Sequence, residues 1–163
     1  MFEVPAKEDG LTQGDIFSEC PIIDWERSES GSWVPSVFSH RVIVLTQACD
    51  LANQKTTRIQ VAVVHDVRTL VASGFAKPST VRDQIRTHRV YGLYFLPEYA
   101  NLIEESIVDL RDIHVLPREL LDRSAQDGKK IARLTTPYRE HLAQHFATTY
   151  SRIALPQPYE SNP

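Results

Sequence analysis

The 163-residue sequence has only two cysteines, Cys20 and Cys49. Two are too few for a disulfide framework, and in a reducing compartment both are expected as free thiols. No Cys-x-x-Cys occurs, so the commonest zinc spacing is missing, and mixing Cys20 and Cys49 with a histidine gives no regular metal-ligand pattern. Neither Gly-x-x-x-x-Gly-Lys nor Gly-x-Gly-x-x-Gly is present, which argues against an NTPase or a dinucleotide enzyme. No metal and no cofactor are therefore expected. The apolar stretches are too short to cross a bilayer. Met1-Phe2-Glu3-Val4-Pro5 lacks a charged start followed by an apolar run, so export is not expected either, and the expected setting is cytoplasmic. Positive charge is also short: 18 Lys and Arg against 21 Asp and Glu give a net charge of -3. That balance excludes wholesale electrostatic capture of nucleic acid and leaves room only for a local basic patch.

What is present suits one globular domain over 1–163, with a core over about 11–155 and a loose tail over 156–163; the hydrophobic fraction is 42%. Asp9-Gly10 and Gly14-Asp15 read as a loop feeding a first strand at Cys20-Pro21-Ile22-Ile23. The polar stretch 28–32 lies between Trp25 and Trp33 and fits a hairpin or a longer loop. Arg41-Val42-Ile43-Val44-Leu45-Thr46 is a β-branched run expected to be buried on both faces at the centre of a sheet. Residues 58–65 alternate and form the next strand, antiparallel to it. Residues 67–72 and 80–87 read as short helices separated by Gly74 and Pro78. Residues 90–96, 106–110 and 113–116 are further strand candidates, for five to seven in all. Thr136 is placed to cap a helix starting at Pro137. Tyr138, Leu142, Phe146, Tyr150 and Ile153 would form its sheet-facing stripe, with Pro156 and Pro158 as the stop.

The clearest site candidate is Thr46-Gln47-Ala48-Cys49-Asp50, which follows directly on the buried strand. Cys49 is a nucleophile if His65, followed by Asp66, acts as its base; otherwise it is a small buried side chain beside a capping Asp50. His141 and His145 stand four apart as zinc-protease ligands do, but the Glu of His-Glu-x-x-His is absent, and they read as the solvated face of the last helix. Arg82, Arg86, His88 and Arg89, with Tyr91, Tyr94 and Phe95, combine charge and aromatics suited to single-stranded RNA; the plainer reading is an exposed helix followed by a partly buried strand. Trp25 and Trp33, together with the loop after Leu45, form a candidate protein-binding surface.

Gly14-Asp15-Ile16-Phe17, the polar loop, and His40-Arg41 leading into Val42-Ile43-Val44-Leu45-Thr46 resemble the front half of the MazF/PemK family, over the stretch from Gly14 to Val64. The resemblance implies an SH3-like barrel and, in an endoribonuclease, a role for Arg41 at the scissile phosphate, with His65 moving a proton. The family's Arg-Pro is Arg41-Val42 here, and Val63-Val64-His65-Asp66 stands where its next strand carries a catalytic Thr. The expected fold is thus mainly β (α+β): a small SH3-like barrel-type sheet with peripheral helices and a C-terminal amphipathic helix. The expected function is an interaction or regulatory module of a bacterial system of the toxin–antitoxin or phage-defence kind. It would have a protein partner and could also exist as a homodimer. The alternatives are a MazF-like endoribonuclease and a thiol-dependent enzyme centred on Cys49.

Overall fold

The computed structural model describes residues 1–151. Ile153, the stop at Pro156 and Pro158, and the tail over 156–163 lie outside the described residues. Seven strands form one antiparallel sheet: β1 (Phe2–Glu3), β2 (Asp15–Arg27), β3 (Trp33–Val44), β4 (Arg58–Asp66), β5 (Leu93–Leu96), β6 (Ser106–Pro117) and β7 (Lys130–Leu134). Their order is β1-β7-β2-β3-β4-β6-β5. The β-branched run ends β3 at the middle of this order, and Val42, Ile43 and Val44 are fully buried, as expected of a strand packed on both faces. No helix among the described residues is long and apolar enough to cross a membrane.

The fold is mostly β, but the sheet does not close. Its edges, β1 and β5, have two and four residues, too short to zip together, and helices cover the faces instead of barrel closure. One face carries Ile16, Ile43, Val64, Tyr94, Val108 and Leu134 and packs on Leu142 of α5 (Tyr138–Tyr150). The opposite face carries two clusters. Phe17, Val42, Val61 and Leu116 meet Leu51 of α1 (Ala48–Ala52) and Leu121 of α4 (Arg118–Gln126). Phe95 and Ile107 meet Leu70 of α2 (Val67–Ala72) and Val81 and Ile85, which follow α3 (Pro78–Thr80) in a π-helical turn. Alternation along each strand accounts for this division.

Three local features differ from expectation. Residues 106–110 and 113–116 are a single strand, because a bulge lets β6 slip from Asp109 opposite Val63 to Ile113 opposite Ala62. Thr136 does not cap α5: the N-cap position is Pro137, and Thr136 Oγ1 instead donates to Glu140 Oε1 at 3.2 Å. The stripe of α5 is narrower than its spacing suggests, since Leu142 is fully buried while Tyr138 and Tyr150 are 41% and 56% exposed.

The Gly14-Asp15 pair has a structural reason. Gly14 has φ +84, and a Cβ there would sit 3.0 Å from Leu134 Cβ, so only glycine fits. Asp15, directly opposite Arg133 of β7, accepts from the Arg133 guanidinium and from Thr12 N–H at 2.9 Å. Arg133 also donates to Gly10 O at 2.8 Å, tying the N-terminal loop to a strand formed more than a hundred residues later.

Candidate functional site

β7 pairs with β2 only at Asp15–Phe17, and β4 pairs with β3 only at Val42–Val44. The remainder of β2 and β3 therefore runs out of the sheet as a two-stranded ribbon, closed by the loop over residues 28–32, where Ser28 N–H donates to Ser32 O at 2.8 Å and Gly31 takes φ +84. The register sets Ile23 opposite Val37, Trp25 opposite Pro35 and Arg27 opposite Trp33. With a period of two, Pro21, Ile23, Trp25, Trp33, Pro35 and Val37 share one face. Ile23, Trp25, Trp33 and Val37 are 61%, 59%, 65% and 68% exposed. Together they leave on the order of 500 Å² of apolar surface in water, as large as the largest patch on an ordinary monomer. The other face carries Asp24, Glu26 and Ser36, with Ser36 Oγ donating to Glu26 Oε2 at 2.6 Å, beside the less exposed Val34 and Phe38. Trp25 and Trp33 thus share one face of the ribbon. The loop after Leu45 is not part of their surface, because it lies at the opposite end of β3, about 40 Å of strand from Trp33.

Comparison with protein-family models and with curated proteins returned no match.

The residues offered for catalysis are dispersed. Arg41 shares a face of β3 with Ile43 and pairs with Glu104 at 2.8 Å, whereas His65 lies on the face of β4 that carries Val61 and Val63. The sheet stands between them. Cys49 is exposed rather than buried, and its Sγ contacts Gln47 Oε1 at 3.6 Å and Asp50 Oδ1 at 3.8 Å. It follows the end of β3 that meets Gln60, about 16 Å of strand from His65. Thr46 Oγ1 accepts from Gln60 N–H at 2.7 Å, Gln47 takes the N-cap position of α1, and Asp50 approaches Lys55 at 3.9 Å. The basic segment is partly neutralised. Arg82 pairs with Asp83, and Arg86 pairs with Glu105 at 3.3 Å and lies over the Phe95 ring, but Arg89 has no carboxylate partner among the described residues.

Two histidine groups emerge that strand spacing did not reveal. The β6 bulge swings Asp112 onto His114 Nε2 (2.9 Å) and within 3.8 Å of His65 Nε2. Burial holds His65 below its ordinary pKa, with Asp112 and Asp109 pulling the other way. In the second group His145 is buried, not solvated, and the His88 ring lies 4.6 Å from Tyr94, 4.8 Å from His141 and 6.0 Å from His145. Tyr94 Oη and His141 Nδ1 are 3.2 Å apart. The i, i+4 pair on α5 was the signal in the sequence. Its third member comes from a loop 53 positions before His141, and no local pattern links the two.

Proposed function

We propose that this protein is an interaction module that docks a partner protein on the apolar face of the β2–β3 ribbon. The observation that carries the reading is the unpartnered face built by Ile23, Trp25, Trp33, Pro35 and Val37. A two-stranded ribbon is only marginally stable in water, so a ribbon holding two exposed tryptophans gains order and stability when that face is covered. Tryptophans at the centre of an apolar patch are the usual anchors of binding energy. Pro21 and Pro35 offer no N–H, which disfavours addition of a strand at the ribbon edge and favours docking on the face.

Charge bears on the kind of partner. By the register, Asp24 and Glu26 lie on the ribbon's other face, and Arg27, opposite Trp33, is the charged side chain on the docking face. A second copy would bring two such arginines together, whereas an apolar patch edged by Asp or Glu complements Arg27. The SH3-like reading of Gly14 to Val64 belongs to the same proposal: β2, β3 and β4 are its consecutive antiparallel strands, with the ribbon extending from them. A ribonuclease using Arg41 and His65 on one phosphate finds no support in a sheet that separates them.

Selection of a random peptide library on the purified protein tests the reading. The expected winners combine aromatic or aliphatic anchors with flanking Asp or Glu, and bind Trp25→Ser and Trp33→Ser proteins at least ten-fold more weakly. Winners that bind both variants as well as wild type would refute it. So would concentration-dependent dimerisation abolished by Trp33→Ser, which would assign the face to a second copy.

A further inference from the structure

A second site lies away from the ribbon. A cavity of about 250 Å³ opens between α5 and the segment preceding β5, lined by His88, Arg89, Tyr91, His141, Gln144, His145 and Thr148. We propose that this cavity binds the phosphate group of a small phosphate monoester.

The lining is the first ground. Every side chain in it can donate a hydrogen bond, and no carboxylate is among them. Among the described residues Arg89, unlike Arg82 and Arg86, has no carboxylate partner, which leaves its guanidinium to make a bidentate contact with phosphate. The second ground is unmet hydrogen bonding. Among the described residues His88 Nδ1 and His145 Nε2 are buried without a hydrogen-bond partner, although the Val90 and Leu93 carbonyls lie near the His145 ring, and His145 is only 9% exposed. A buried ring nitrogen left unsatisfied is costly until a hydrogen-bonding group reaches it. The third is strain: His88 holds φ +55, a left-handed conformation that non-glycine residues rarely adopt and that recurs at functional sites. It sets the imidazole against Tyr94 and His141, where a helical residue would point elsewhere.

The charged and titratable groups lining the cavity are His88, Arg89 and Tyr91 on the loop and His141 and His145 on α5, with Tyr94 of β5 packed against the imidazoles and Tyr138 of α5 beside Tyr94. Burial and the neighbouring imidazoles hold His88 and His145 below the ordinary imidazole value, with the Val90 and Leu93 carbonyls pulling the other way at His145. A dianionic ligand reverses this balance and draws protons onto the rings. A transition ion fits less well: it would face Arg89, and among the described residues no three His, Cys, Asp or Glu stand at metal-ligand spacing.

Calorimetric titration with inorganic phosphate, ribose 5-phosphate and ribose decides the matter. Both phosphates should bind saturably and ribose should not; tighter binding of the ester identifies a sugar phosphate, and equal binding identifies free phosphate. Affinity should be greatest near pH 6, where the ester is ionised and the imidazoles accept protons, and should fall several-fold by pH 8. Arg89→Ala, at an exposed position, should lose at least ten-fold. His88→Asn, which tolerates the left-handed backbone, should lose a similar factor without unfolding. The proposal is overturned if phosphate does not saturate, if Arg89→Ala binds like wild type, or if one equivalent of Zn²⁺ binds instead, more tightly as pH rises.

Discussion

Asp15 offers the sharpest test of how this fold is held together. Its carboxylate is fully buried, and Arg133 opposite it is 13% exposed. Burial raises the Asp15 carboxyl above its ordinary value, although the Arg133 guanidinium and Thr12 N–H both favour the charged form. The ion pair as a whole is therefore close to break-even against an apolar pair, while either charge left alone is costly. Removing Arg133 strands a wholly buried carboxylate, and Arg133→Met should cost about 4–5 kcal/mol, the upper part of the range for breaking a buried pair. Asp15→Asn should cost less, about 3 kcal/mol, because Arg133 keeps Gly10 O at 2.8 Å and Asp9 at 3.7 Å. At this chain length that is a Tm lower by about 6–12 °C. The Asp15→Asn/Arg133→Met double variant should recover most of the loss. Urea and thermal unfolding of the four proteins by circular dichroism measure the cycle. A single-variant cost below about 1 kcal/mol, or a double variant that merely adds the two losses, would refute the account.

Two further outcomes follow from buried titratable groups. His65, His88 and His145 are held below the ordinary 6.5 by burial; the fold favours their neutral forms, so this stabilisation is complete above 6.5 and is lost as pH falls from there through the lowered values of the folded state. In phosphate-free buffer the urea midpoint should drop between pH 7 and pH 5, and His145→Asn should flatten that drop; a midpoint that rises on acidification would contradict the sign. Alkylation of the native protein at pH 8 should modify Cys49 and spare Cys20, whose thiol burial pushes up to about 12, roughly a thousandfold less thiolate than at an ordinary cysteine. Two adducts appearing together by mass spectrometry would show that Cys20 is not sealed.

Much of the architecture was legible locally. The β-branched run at 42–44, the alternation at 58–65, the helix 67–72 and the helix α5 each declare themselves within a dozen residues, because side-chain period and backbone geometry are coupled over that span. The region 118–134 was silent for a physical reason. β7 carries Lys130 and Arg133 among its five residues, and these read as solvent-facing until Asp9 O and Asp15, more than a hundred positions away, are seen to receive them. The candidate sites divide in the same way. Sequence alone determined that Trp25 and Trp33 flank a turn, that His141 and His145 lie four apart and that Arg41 and His65 sit on neighbouring strands. Only the tertiary structure decided that the tryptophans share an uncovered face, that His88 joins the helix pair, and that Arg41 and His65 look away from each other, because strand parity, bulges and loop closure are set by pairing across the sheet.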